Sequence, residues 1–157
     1  MKTIDFKEAC KKAKTIFVVN GPNLDMLGMR EPQIYGTATL ADVKKLCEKE
    51  AKKRGYEIVF SQYNGEGEII EELHRALSSA AAVIINAGAY THYSYAIADA
   101  LKMLSCPKIE LHISHIFARE SFRRESVLSP YCTALISGLG VNGYATAVAA
   151  AAELLHD

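Results

Sequence analysis

The sequence predicts one α/β domain, a three-layer sandwich with helices on both faces of a five-stranded parallel sheet. Three observations lead there. Apolar runs of strand length alternate with stretches of helical periodicity along the 157 residues. The first run, Thr15-Ile16-Phe17-Val18-Val19, is continuously apolar, as in a strand covered on both faces. Half of the residues are hydrophobic, enough to fill a substantial core at single-domain length.

Taken in order, residues 1–14 form an N-terminal extension with a short charged helix from Asp5 onward, and residues 15–157 form the single catalytic domain. After the first strand the chain breaks at Gly21-Pro22 and enters a long irregular loop, the kind of segment that serves as a lid at a strand end. Thr39-Leu40-Ala41-Asp42 reads as a capping box opening a helix, with Leu40, Val43, Leu46 and Ala51 on its buried face and Gly55 ending it. Residues 56–62 are β-branched and aromatic enough for a second strand. A helix over 66–79 presents Ile69, Ile70, Leu73, Ala76 and Leu77 as its apolar stripe. The third strand spans 82–86, a helix 93–104, the fourth strand 108–112 and a short helix 120–124. The fifth strand spans 132–137 and an alanine-rich helix 144–156 closes the chain. Right-handed crossovers then favour a flavodoxin-like strand order, 2-1-3-4-5.

Composition excludes several classes of function. Eighteen basic and eighteen acidic residues cancel, so no nucleic-acid surface is suggested and any anion site must be local. The four cysteines are scattered without a C-x-x-C pair, and residues 1–14 lack the apolar core of a secretory signal, which fits a cytoplasmic protein with reduced thiols. No apolar run is long enough to span a membrane.

In a doubly wound sheet, ligands bind beyond the carboxyl ends of the strands, at the point where strand order reverses. Asn20 and Asn23 follow the first strand, Asn86 and His92 the third, and Glu110, His112 and Ser114 end or follow the fourth, so all fall on one edge. Glu110 and His112 alternate along a strand and share a side. A carboxylate there can fix the tautomer of an acid/base imidazole, although a hydrogen-bonded core histidine fits the same spacing. A metal site on Glu110, His112 and His115 matches none of the usual zinc spacings. Gly138-Leu139-Gly140-Val141-Asn142-Gly143 spells G-x-G-x-x-G but leaves too little chain for the acidic ribose ligand, so it reads as a turn. Arg30 sits in the lid, and Arg119 and Arg123 are four apart. Each fits a solvated surface charge, but together they could receive a small carboxylate. Tyr35, five residues beyond Arg30, could serve as a base if a guanidinium stabilised its phenolate; spacing alone favours an ordinary loop aromatic packed on the domain.

These segments reach a known family. Asn20-Gly21-Pro22-Asn23-Leu24, Arg30-Glu31-Pro32 through Tyr35-Gly36, Asn86-Ala87-Gly88-Ala89-Tyr90-Thr91-His92, Glu110-Leu111-His112-Ile113-Ser114, Ala118-Arg119-Glu120 and Leu128-Ser129-Pro130 closely resemble type II 3-dehydroquinate dehydratase, from about Thr15 to the last helix. The resemblance implies a cofactor-free, metal-free anti elimination of water from 3-dehydroquinate to 3-dehydroshikimate in the shikimate pathway, toward chorismate and the aromatic amino acids. It implies Tyr35 as base with Arg30 holding it reactive, Asn23 stabilising the enolate, and His112, oriented by Glu110, as general acid. Asn86, Ser114 and the Ile113 amide match the positions that grip the substrate carboxylate, and His92 and Arg123 those that bind its hydroxyls. Arg119 matches an arginine near the lid. Asp99 matches a residue that reaches a neighbouring subunit, so the implied unit is a trimer, with four trimers forming a dodecamer. The chain departs from the family pattern at Gly65, Tyr93, Ala98, His115 and Phe117.

Overall fold

The computed structural model of the chain describes residues 5–156. Five strands, β1 (Thr15–Asn20), β2 (Glu57–Gln62), β3 (Ala80–Asn86), β4 (Lys108–His112) and β5 (Ala134–Ser137), form one parallel sheet in the order β2-β1-β3-β4-β5. This is the wiring expected from sequence. Burial follows position in the sheet: all seven residues of central β3 are buried, whereas the edge strands β2 and β5 contain no fully buried residue.

Strand alternation divides the core into two layers. Ile16 and Val18 of β1, Ala82 and Ile84 of β3, and Ile109 and Leu111 of β4 meet α3 (Leu40–Lys53) and α6 (Asn142–His156) on one face. Phe17, Val19, Val83 and Ile85 meet α1 (Phe6–Lys12), α4 (Glu66–Ala76) and α5 (Tyr95–Met103) on the other. The same alternation turns Asn20 and Asn86 toward the α6 face, and Glu110 and His112 away from it.

The capping box forms: Thr39 Oγ1 accepts from the Asp42 amide at 3.2 Å, and Asp42 Oδ2 accepts from the Thr39 amide at 2.9 Å. The α3 stripe is rotated from its expected register. Val43, Cys47 and Ala51 are fully buried at i, i+4, i+8, and Leu46 is half-buried. Helix α4 ends at Ala76 rather than 79. Helix α5 starts at Tyr95, because the Ser94 hydroxyl caps it by accepting from the Ile97 amide. Strand β5 starts at Ala134, since residues 129–132 are drawn into a tight turn in which the Cys132 amide donates to the Ser129 carbonyl. No helix among the described residues is long and apolar enough to cross a membrane.

Candidate active site

The loop after β1 is less irregular than the sequence implied. It contains a 3-10 turn at Leu24–Met26 and a single helical turn, α2 (Pro32–Tyr35), each entered through a residue with positive φ, Asn23 at 68° and Glu31 at 41°. Asparagine tolerates that conformation; glutamate seldom adopts it. Asn64, one of the residues ahead of α4, anchors the start of the loop, its Oδ1 accepting from the Asn23 amide at 3.0 Å and from Gln62 Nε2 at 3.1 Å. Leu24 and Leu27 are buried and tie the loop to the core. Gly21 allows the chain to leave β1: a Cβ there would lie 2.6 Å from the Ala87 carbonyl carbon and oxygen.

One pocket opens at the carboxyl ends of β1, β3 and β4. Asn23, Arg30 and Tyr35 contribute from the loop, Asn86 and His92 from the end of β3, and His112, Ile113, Ser114, Arg119 and Arg123 from β4 and beyond. Two predicted residues stand outside this lining. Glu110 is fully buried directly beneath it. Asp99 is exposed on α5 and is not part of this chain's own pocket. His115 borders a neighbouring groove beside Gly138, separate from the pocket that His112 lines. No cluster of three or more histidine, cysteine, aspartate or glutamate side chains able to hold a metal occurs among the described residues.

Glu110 and His112 form the expected pair. His112 Nε2 lies 2.7 Å from Glu110 Oε1, and the other carboxylate oxygen accepts from the hydroxyls of Ser126, at 3.0 Å, and Ser129. Burial works to raise the carboxyl's pKa, but the hydrogen bonds from His112, Ser129 and Ser126 outweigh it and hold Glu110 below the usual carboxylate value. A carboxylate that only accepts fixes the proton on Nε2, so Nδ1 is the ring nitrogen left to exchange a proton. Sequence reasoning gave no role to Ser126 or Ser129. Ser126 Oγ also accepts the amides of Leu128 and Ser129, so a single hydroxyl shapes the turn and seats the carboxylate.

His92 stacks on His112 with ring centroids 6.4 Å apart, and its Nδ1 meets the Glu125 carbonyl oxygen at 2.6 Å. That carbonyl can only accept, so Nδ1 carries the proton. Burial pushes the His92 pKa below its ordinary value, which leaves a neutral ring with Nε2 as an acceptor.

Tyr35 lies between two guanidiniums. Arg30 and Arg119 each hold their central carbon 5.6 Å from the ring centroid, and Arg119 Nη1 also donates to the Tyr35 hydroxyl at 3.0 Å and to Ser114 Oγ at 3.0 Å. Arg30, expected as the partner of Tyr35, touches only the ring face and pairs with Glu31 at 3.4 Å. The direct contact belongs to Arg119, a residue far away in sequence. Arg123, which pairs with Glu120 at 2.8 Å, supplies a third positive charge at the pocket. Among the cysteines, burial pushes the thiols of Cys47, Cys106 and Cys132 up to about 12, so none is a ready nucleophile.

Fold and pocket together define a flavodoxin-like α/β enzyme with a cationic strand-end site. A family model described as class II dehydroquinase matches residues 14–152. The 3-dehydroquinate dehydratase of Caldicellulosiruptor bescii is 52% identical over 143 residues, covering 90% of this chain and 99% of that protein. The crystal structure of the type II dehydroquinase from Propionibacterium acnes superposes with a TM-score of 0.86 at 44% identity, covering 90% of this chain and 97% of that one. That from Butyrivibrio crossotus gives 0.85 at 41% identity over 92% and 99%. The chain belongs to the class II dehydroquinase family. Helix α1 lies outside the residues that the family model matches.

Proposed function

We propose that this chain is a type II 3-dehydroquinate dehydratase that eliminates water from 3-dehydroquinate by an anti, enolate route within the shikimate pathway, without a cofactor. The observation that carries the reading is the convergence on one pocket of Tyr35, held by Arg119, and His112, held by Glu110. Tyr35, as the base, removes the proton alpha to the ketone, its oxygen held by the hydrogen bond from Arg119 and its ring by Arg30. Asn23 stabilises the enolate oxygen that develops. His112 gives its proton to the departing hydroxyl, water leaves and the enone forms; Glu110 keeps the imidazole oriented. Asn86, Ser114 and the Ile113 amide hold the carboxylate, and His92 and Arg123 hold the hydroxyls.

The same reading makes the protein a trimer or an assembly of trimers. Asp99 serves a neighbouring subunit's pocket from α5, where the exposed Tyr95 and Met103, 73% and 50% accessible, would be covered. The test is to mix purified protein with 3-dehydroquinate and follow the ultraviolet absorbance of the conjugated enone. Steady formation of that absorbance is expected, and its absence from a folded oligomer overturns the reading.

A further inference from the structure

Strands β1 and β3 both end in asparagine, Asn20 and Asn86, which are register partners at the switch point. Both side chains turn toward α6, where the fully buried Tyr144 hydroxyl lies between them. Asn20 Nδ2 donates to the Ser61 carbonyl oxygen at 2.9 Å. A carbonyl only accepts, so this contact fixes which end of the Asn20 amide is nitrogen and leaves Oδ1 facing Tyr144. The Tyr144 hydroxyl donates its one proton to that Oδ1 at 2.6 Å. Toward Asn86 it can then only accept, and it does so from Nδ2 at 3.0 Å. Asn86 Oδ1 in turn accepts from the Gly88 amide at 3.3 Å. Each donor–acceptor choice from the Ser61 carbonyl to Asn86 Nδ2 is dictated by the one before it, and the Gly88 amide, which can only donate, favours the same Asn86 orientation from the other side. Burial raises the pKa of the Tyr144 phenol, so the proton that sets this direction stays in place.

We infer that Tyr144, which does not line the pocket, is a positioning residue for substrate recognition: it locks the Asn86 amide so that an N–H rather than a carbonyl oxygen faces the ligand. With one Nδ2 hydrogen on Tyr144, the other remains to meet an anionic oxygen, and Oδ1 is kept from repelling it. A flipped Asn86 would present a lone pair to a carboxylate. The inference rests on the functional reading in one respect, that Asn86 holds the substrate carboxylate.

The test is steady-state kinetics on 3-dehydroquinate with wild type, Tyr144→Phe, Asn86→Ala and the double variant. Tyr144→Phe should raise KM about tenfold, the scale of one charge-assisted hydrogen bond, with kcat within about threefold of wild type. The double variant should have a KM no worse than that of Asn86→Ala, because both changes remove the same contact. An unchanged KM in folded Tyr144→Phe, or KM effects that multiply in the double variant, overturns the inference. Asn20→Leu supplies a second route: it frees the Tyr144 proton to turn toward Asn86, so it should raise KM similarly with Tyr144 and Asn86 both present. An unchanged KM there overturns the inference too, even if Tyr144→Phe does not fold. A wild-type protein inactive on 3-dehydroquinate defeats the functional reading and the inference together. An active wild type with an indifferent Tyr144→Phe defeats only the inference.

Discussion

Replacing Glu110 by glutamine isolates charge from shape at the centre of the site. The side chain keeps its volume, and its amide nitrogen can donate to the Ser129 hydroxyl, which accepts nothing in the native turn. What is lost is the negative charge 2.7 Å from His112 Nε2. A hydrogen bond to a charged group is worth roughly 1.5–3 kcal/mol against about 0.5–1.5 for a neutral one. Two unit charges about 4 Å apart at an effective dielectric constant of ~20 interact by roughly 4 kcal/mol. Loss of this charge-assisted hydrogen bond, which orients the imidazole, should therefore cost about 2–4 kcal/mol in the transition state, roughly 30- to 1,000-fold in kcat, if His112 is the general acid. The assay is enone formation at saturating 3-dehydroquinate, with thermal unfolding measured in parallel. A folded Glu110→Gln protein with kcat within about threefold of wild type would refute the assignment of the pair.

Other perturbations separate the remaining parts. Arg119→Ala removes the hydrogen bond to the Tyr35 hydroxyl and should lower kcat by roughly 10- to 100-fold with the fold intact; a near-normal rate would mean that the contact has no part in holding the base. Gly21→Ala places a Cβ 2.6 Å from the Ala87 backbone and should destabilise the protein by about 1–3 kcal/mol in denaturant unfolding, whereas an unchanged midpoint would show that the β1 exit can shift freely. Glu110 has a folded-state pKa below the usual carboxylate value near 4.5, so the stability it contributes is present above the unfolded value and is lost as pH falls through the folded one. Unfolding midpoints measured from pH 6 downward should therefore drop less steeply in Glu110→Gln than in wild type, and parallel curves would contradict that origin of the shift.

The sheet was legible because its central strands are continuous apolar runs and because Thr39 and Asp42 mark a helix start by local chemistry. Edge strand β5 was less so: Cys132 looks like strand but is drawn into the preceding turn, and the strand starts two residues later at Ala134. In the site, the Glu110–His112 pair followed from alternation alone. The partner of Tyr35 did not, since chain proximity favoured Arg30, while the hydrogen bond comes from Arg119 after a crossover between strands. Asn20 looked like a pocket residue by its place at a strand end, yet alternation turns it to α6, where it holds Tyr144. Tyr144 itself sits at the start of an alanine-rich helix, and nothing local links it to Asn20 or Asn86. Such contacts are set by topology, to which local patterning is blind.

The central claim is that a base on the β1 loop and an acid at the end of β4 act on the two ends of one elimination. The most direct measurement is the fate of deuterium placed separately at each of the two hydrogens of the methylene between the ketone of 3-dehydroquinate and the carbon that bears the departing hydroxyl, read in the product by NMR. The hydrogen anti to the departing hydroxyl should be lost and the other retained. Loss of the syn hydrogen, or no product at all from folded protein, would contradict it.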